Sequence, residues 1–459
     1  MGFITGALFQ MSTTHASNGS VVDREVAIHS YLENRRRTAR LFGLLDSRSY
    51  YDKPIPLRHP FVFYEGHIPA FGVNCFLKKG LGHPGIDRDL ETLFARGIDP
   101  IDQRATGMSQ VESWPERASV AQYVKEADSA ILSALRNAVL ESNDNAVCYR
   151  GQGVFTMLEH EVMHQETLLY ILHRLRNDRK QRPPGTESLL DGFVPDREMA
   201  LIPAGMATLG SEIDEVPFGW DNEFPSFVED VPAFEIDLHN VTNQDYLAFV
   251  DAGGYTNRDM WTDRGWERRE AVQRDHPLFW EWKSGSWMWR GMFDLIPLPM
   301  SWPVYVTHDE AAAYVKWKKR RLPTEAEFHR AAYGDPSGIE RRHPWGNVET
   351  DESHGNFDFR HWDPVPVGSY PAGVSAWGVQ DLVGNGWEWT STVFQGFPGF
   401  KTMASYPEYS ADFFDQDHFV VKGASPGTGS CLVRRSFRNW FRPHYPYMYA
   451  TFRCARDAK

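Results

Sequence analysis

Residues 153–178 read GVFTMLEHEVMHQETLLYILHRLRND. Apolar side chains recur along the stretch at helical spacing, and its last turn is basic, which suits the negative end of a helix dipole. It predicts one long helix. On that helix His160 and His164 stand one turn apart on the same face. Two imidazoles at that spacing are what a mononuclear metal takes from a single helix.

Working outward, the flanks predict more helices. VVDREVAIHSYLENRRRTARLFGLL (21–45) has apolar positions at Val22, Ala27, Ile28, Tyr31, Leu32, Ala39, Phe42 and Leu45. SVAQYVKEADSAILSALRNAVLES (119–142) repeats the pattern behind a Ser119 N-cap. HPFVFYEGHIPAFGVNCFLKKGL (59–81) predicts a helix after Pro60, with Pro69 as a source of a kink. Amphipathic helices of about 20 residues suggest an antiparallel bundle over 22–180. Residues 181–196 mix charge, glycine and two adjacent prolines and read as a linker. From there to residue 459 short strands and long turns prevail. Two helices stand out among them: VTNQDYLAFVDAG, capped near Thr242, and THDEAAAYVKWKK, capped at Thr307 or His308. The expected class is α+β, with a helical domain at 22–180 and a loop-rich domain at 197–459.

Composition narrows the function. The chain has 459 residues, 42% hydrophobic and 24% charged, the balance of a folded protein large enough for two domains. A net charge of −13 without a basic block argues against nucleic acid or an anionic membrane surface as partner. No apolar run approaches the ~18 residues a membrane span needs. The opening MGFITGALFQ lacks a basic region for a signal peptide, and Gly6 stands where myristoylation after Gly2 wants Ser or Thr. Four cysteines make no disulfide framework, so a reducing cytoplasm is expected. Sixteen tryptophans, most of them after residue 219, mark the loop-rich half.

The histidine pair admits several readings. Both rings could simply face polar partners in a bundle. HEVMH also matches H-E-x-x-H, the zinc-protease pattern with Glu161 as base, but no Gly-turn with a third histidine follows and no strand-rich half precedes. Glu166 invites a two-His-one-carboxylate iron site. At about 100° per residue it points roughly 200° around the helix from His164, so a third ligand must come from elsewhere. His67, among apolar residues in FVFYEGHIPAF, is the best candidate. His59 and His83 adjoin prolines, and His29 lies between Glu25 and Glu33 on a solvated face.

Two sets of strings resemble known families. IPAGMATLG, FGWDNEFPSF, VTNQDYLAFV, RLPTEAEFHRAA, HPWGN, DLVGNGWEWTST and TFRCAR resemble, in order, the C-type-lectin-like fold of the formylglycine-generating enzymes, or sulfatase-modifying factors. His67 followed by HEVMHQE resembles the DinB-like four-helix bundle of ergothioneine sulfoxide synthases. Together they are similar to an iron(II)-dependent hercynine oxygenase. The resemblance implies Fe(II) held by His67, His160 and His164, with hercynine, cysteine and O2 as small-molecule substrates. YPEYSADFF (406–414), HEVMHQETLLY, FGWDNE and NWFRPHYPYMYA resemble the fungal-type ergothioneine synthases most. That implies Tyr406 as catalytic hydrogen donor and Tyr409, Asn439 and Trp440 as binders of the histidine derivative.

The sequence also departs from the bacterial pattern. Met163 replaces a Gln, and Phe441 replaces an Asp that would serve a γ-glutamyl-cysteine donor. Free cysteine is the expected donor, with Arg438 or Arg442, and Arg434 beside them, available for its carboxylate. The alternatives are an ovothiol-type synthase acting on histidine, or one using another thiol or selenium donor. A copper formylglycine-generating oxidase would need a thiol pair from Cys431 and Cys454. A non-catalytic binding module remains the non-enzyme reading.

Overall fold

The computed structural model describes residues 21–95, 97, 113–186 and 191–458. The opening MGFITGALFQ, with Gly2 and Gly6, and residues 187–190 of the expected linker lie outside the described residues. By its internal contacts the chain divides into two units. The first is 1–186 joined by 216–218 and 402–409, and the second is the remainder. The class is α+β.

In the first unit the described helices are α1 (Arg24–Gly43), α2 (Phe61–Gly72), α3 (Arg88–Phe94), α4 (Arg117–Asn137) and α5 (Gln152–Arg174). α1 packs on α4 and α5, and α2 packs on α3, α4 and α5. Asp23 caps α1 by accepting from the N–H groups of Glu25 and Val26. The expected Ser119 cap of α4 is corrected: Glu116 is the N-cap, so the helix starts earlier and Ser119 falls in its first turn. It runs back to Pro115, which turns the preceding residue away from helical geometry. Pro69 does not break α2. The helix loses one rung there and passes into a π-helix at Val73–Gly80.

The inward face of α1 is less apolar than its periodicity implies. Leu32 is 42% exposed and Ala39 is exposed, while Asn34 and Thr38 are buried. The reason is α5: Asn34 donates to the Leu158 carbonyl (3.0 Å) and Thr38 to the Glu161 carboxylate (2.6 Å). His29 is exposed, as expected. At Gly72 a Cβ would stand 2.9 Å from the Ile131 side chain and 3.0 Å from the Met157 sulfur. The missing side chain is what lets α2 approach α4 and α5 so closely.

The second unit has short helices, α6 (Asn243–Asp251), α7 (Asp263–Ala271), α8 (His308–Trp317) and α9 (Glu325–Tyr333). Thr242, Thr307 and Thr324 each close a capping box with an acidic residue three positions on. Thus Thr242 and Thr307 cap as read from sequence. α7 and α9 go unread there: each is only nine residues, and α7 (DRGWERREA) is too charged to show an apolar period.

Four small sheets surround these helices. β1 (Met199–Ile202), β4 (Phe234–Asp237) and β12 (Ala455–Asp457) form one, with β4 in the centre. β2 (Gly205–Leu209) pairs with β3 (Phe227–Val231). β5 (Trp280–Lys283), β6 (Ser286–Arg290) and β7 (Leu295–Pro297) form a meander. β8 (Gly386–Val393), β9 (Phe419–Ala424), β10 (Asn439–Phe441) and β11 (Ala450–Thr451) run in the order β10-β9-β8-β11, with β11 parallel to β8.

The tryptophan excess has a structural use here. Trp220, Trp280, Trp289, Trp302, Trp387 and Trp389 are fully buried, filling the space that short strands leave. Arg453 and Glu388, both fully buried, pair through two 2.6 Å bonds, and Arg453 also donates to the carbonyls of Asp237 and Gln380. The strings DLVGNGWEWTST and TFRCAR therefore meet as one structural node. Among the described residues no helix is long and apolar enough to cross a membrane.

Candidate metal centre

His67 on α2 and His160 and His164 on α5 are buried together, and one nitrogen from each lies within 4.8 Å of the others. The Nε2 atoms of His67 and His164 are 3.0 Å apart, as are those of His164 and His160. Among the described residues this is the cluster of metal-ligating side chains that forms, and Glu166 is not part of it. Glu161 points the other way. It accepts from Arg35 (2.9 Å) and Thr38 (2.6 Å), so it cannot act as the base of a zinc protease. Burial pushes its carboxyl up, against the pull of Arg35 and Thr38.

The electrostatics suit a metal. His67 is held down to about 4 by burial, opposed by its bond to a backbone carbonyl. Burial also holds His160 and His164 well below the usual histidine range, and the neighbouring rings add to it. All three are neutral imidazoles at neutral pH. His67 Nδ1 donates to the Phe94 carbonyl at 2.6 Å, which fixes the proton there and leaves the Nε2 lone pair facing the other rings. The Nδ1 atoms of His160 and His164 are buried without a hydrogen-bond partner. Three convergent lone pairs in an apolar surround are satisfied by a cation. Iron, zinc, copper and nickel all accept such a donor set.

The walls of the site are aromatic. Phe63 stacks on His67 (4.7 Å, 23°) and Phe71 on His160 (3.5 Å, 9°). Neither Phe71 nor the Phe94 carbonyl is evident as a functional group in the sequence. The available signal is that Phe71 follows His67 by one helical turn. Gly66 lets α3 come near, because a Cβ there would lie 2.2 Å from the Phe94 ring.

Segment 402–409 belongs to the same unit as the triad. Tyr406 and Tyr409 bracket a turn closed by Tyr409 N–H to the Tyr406 carbonyl (3.1 Å), with Pro407 at its first corner. The Tyr406 ring lies edge-on to Phe71 (5.1 Å) and 6.2 Å from the His160 ring, centre to centre. Tyr409 Oη donates to the Met163 sulfur at 3.6 Å. The structure thus joins His67, His160, His164, Tyr406 and Tyr409.

The remaining sequence candidates lie in the second unit. Asn439 and Trp440 start β10, and Trp440 stacks on Phe394 (4.1 Å, 5°). Arg438 is a correction. It is 2% exposed, forms a bidentate pair with Glu325 (2.8 and 3.0 Å), and donates to the carbonyls of Asn222 and Gln395. Its guanidinium serves the domain's own packing and is not open to a carboxylate. Arg434 is likewise paired with Glu223. Arg442 lies just past β10, half-buried.

Residues 192–458 match the Sulfatase-modifying factor enzyme 1-like domain. Over nearly its whole length the chain is similar to two enzymes named hercynine oxygenase. The one from Mycobacterium tuberculosis is 35% identical over 431 residues, covering 92% of this chain and 96% of that protein. The one from Mycolicibacterium thermoresistibile is 33% identical over 453 residues, covering 95% and 96%. Ergothioneine biosynthesis protein 1 of Neurospora crassa is 27% identical over 499 residues, covering 90% of this chain and 56% of that longer protein.

Proposed function

The chain belongs to the sulfatase-modifying-factor family and, within it, to the hercynine oxygenases, and from that premise we propose that it is an iron(II)-dependent sulfoxide synthase of ergothioneine biosynthesis. It joins a thiol sulfur to the imidazole of hercynine: thiol, imidazole C–H and O2 become a sulfoxide and water. The observation that carries the reading is the buried triad of His67, His160 and His164 with Tyr406 beside it in one unit. The first unit is read as a DinB-like bundle, because its long helices pack on one another and hold the ligands on facing turns.

Fe(II) would be held by the three Nε2 atoms. When bound, iron supplies the activation of O2. The protein's part is to exclude water with Phe63 and Phe71, and to hold a transferable proton at Tyr406 Oη. Tyr409, Asn439 and Trp440 are assigned to the histidine derivative, whose trimethylammonium suits an aromatic surround. Arg442 is assigned to the carboxylate of cysteine, the donor favoured by Phe441, whose ring stacks on Tyr445 (5.5 Å) where a carboxylate would face the longer thiol.

A copper thiolate-pair chemistry has little support. Cys454 is buried, its N–H is bonded to Asp237, and burial raises its thiol well above the usual range. No disulfide joins Cys75, Cys148, Cys431 or Cys454 among the described residues, which suits a reducing cytoplasm.

The test is anaerobic reconstitution with Fe(II), then hercynine or histidine with cysteine or γ-glutamyl-cysteine, then O2, with products identified by mass and NMR. The hercynyl-cysteine sulfoxide is expected. A product on histidine, a clear preference for γ-glutamyl-cysteine, or no C–S product at full iron occupancy would overturn the corresponding part.

A further inference from the structure

Two stripes of side chains face each other beside the metal centre. α2 and its π-helical continuation carry His67, Phe71 and Cys75, four residues apart. α5 carries His164, His160 and Thr156, also four apart and running the opposite way. At one end the histidines converge. In the middle Phe71 lies flat on His160. At the far end both stripes close on a single residue of the 402–409 segment, Ser405. Cys75 Sγ donates to the Ser405 carbonyl (3.5 Å), and the hydroxyls of Thr156 and Ser405 are 2.9 Å apart. Cys75, Thr156 and Ser405 are all buried, at 2%, 0% and 1% exposure.

We propose that Thr156, Ser405 and Cys75 form a clamp that positions the Tyr406 phenol relative to the metal. Ser405 directly precedes Tyr406, so its backbone fixes where that ring starts. The turn closed by Tyr409 N–H fixes the other side. Phe71, edge-on to the Tyr406 ring, sets its distance from His160. Because Thr156 and His160 share one helix, a rigid rod links the tyrosine's backbone to a metal ligand. A proton donor displaced by about 1 Å loses much of its advantage, while the metal itself would be untouched. These are positioning residues and not catalytic ones.

This rests on the reading of Tyr406 as hydrogen donor. When that donor fails, thiol and O2 combine to sulfinate without water as by-product, so the ratio of sulfoxide to sulfinate reports its placement. Thr156→Val and Ser405→Ala should bind Fe(II) as fully as the parent chain and shift products toward sulfinate by roughly 5- to 30-fold, about 1–2 kcal/mol per clamp contact. Thr156→Ser, which keeps the hydroxyl, should restore the parent ratio. In a Tyr406→Phe background Thr156→Val should add nothing. If Tyr406→Phe leaves the ratio unchanged, the tyrosine's role falls, and the clamp with it. If Tyr406→Phe shifts the ratio but Thr156→Val and Ser405→Ala do not, or if Thr156→Ser behaves like Thr156→Val, the clamp alone is wrong.

Discussion

Replacing His160 by alanine removes one of three convergent imidazoles and leaves Phe71 without the ring it stacks on. The expected outcome is metal occupancy below about a tenth of the parent with helical content retained, since α5 is long and buried along most of its length. Metal analysis with far-ultraviolet circular dichroism checks it, and full occupancy in His160→Ala would refute the ligand assignment. A second prediction concerns the glycine beside a ligand. In Gly66→Ala the new methyl must displace the Phe94 ring, and the Phe94 carbonyl that orients His67 moves with it. Metal affinity should fall about 10- to 100-fold, the usual cost of losing a ligand's orienting partner. Isothermal titration would show this, and an unchanged affinity would mean that the carbonyl contact is dispensable. The three clustered histidines were legible residue by residue: two from their spacing, the third from an isolated histidine in an apolar run. Gly66 and Phe94 were not, because a backbone carbonyl has no signature in sequence.

At the scale of elements, the second unit is held by nodes where distant strings meet. Arg453 precedes β12, and Glu388 lies in β8. Truncating one partner leaves the other's charge buried and unpaired, which typically costs 3–5 kcal/mol, far more than the intact pair contributes. Arg453→Leu should therefore unfold the C-terminal unit or lower its urea midpoint sharply, whereas Arg321→Leu should cost clearly less, because Arg321 and Asp457 reach solvent and the buried Glu327 keeps its bond from the Thr324 N–H. Equal losses in the two variants would contradict this. The N-caps at Thr242 and Thr307 were legible because their chemistry is local; that each closes a capping box was seen only in the structure. The role of Arg438 was not: its pairing with Glu325, 113 positions away, turns an apparent substrate ligand into packing.

For the molecule as a whole, acid sensitivity follows from its buried histidines. His239, His308, His343 and His444 are held down to about 4, chiefly by burial. Below the ordinary pKa of 6.5 the unfolded chain takes up protons that the folded one refuses, so stability falls as pH drops from about 6.5 to about 4. Asp309 and Asp381, raised by burial to about 6, act in the opposite direction over nearly the same range. The lowered histidines outnumber the raised carboxyls, which leaves a net loss on acidification. His308, 8% exposed and stacked on Phe419 (3.8 Å), alone contributes on the order of 3 kcal/mol to it. Urea midpoints of the parent chain and His308→Phe between pH 7.5 and 4.5 check this. The parent curve should fall more steeply, and parallel curves would remove His308 from the account.

The sequence by itself determined the α+β class, the helical first part, the histidine triad and the family, because each rests on short-range period, spacing or ordered strings. Only the tertiary structure decided which arginine is packing, that Glu161 turns away to Arg35, that Pro69 leads into a π-helix instead of a break, and that residues 402–409 group with helices more than 200 positions earlier. These depend on which buried polar groups find each other across the chain, and no local pattern encodes that.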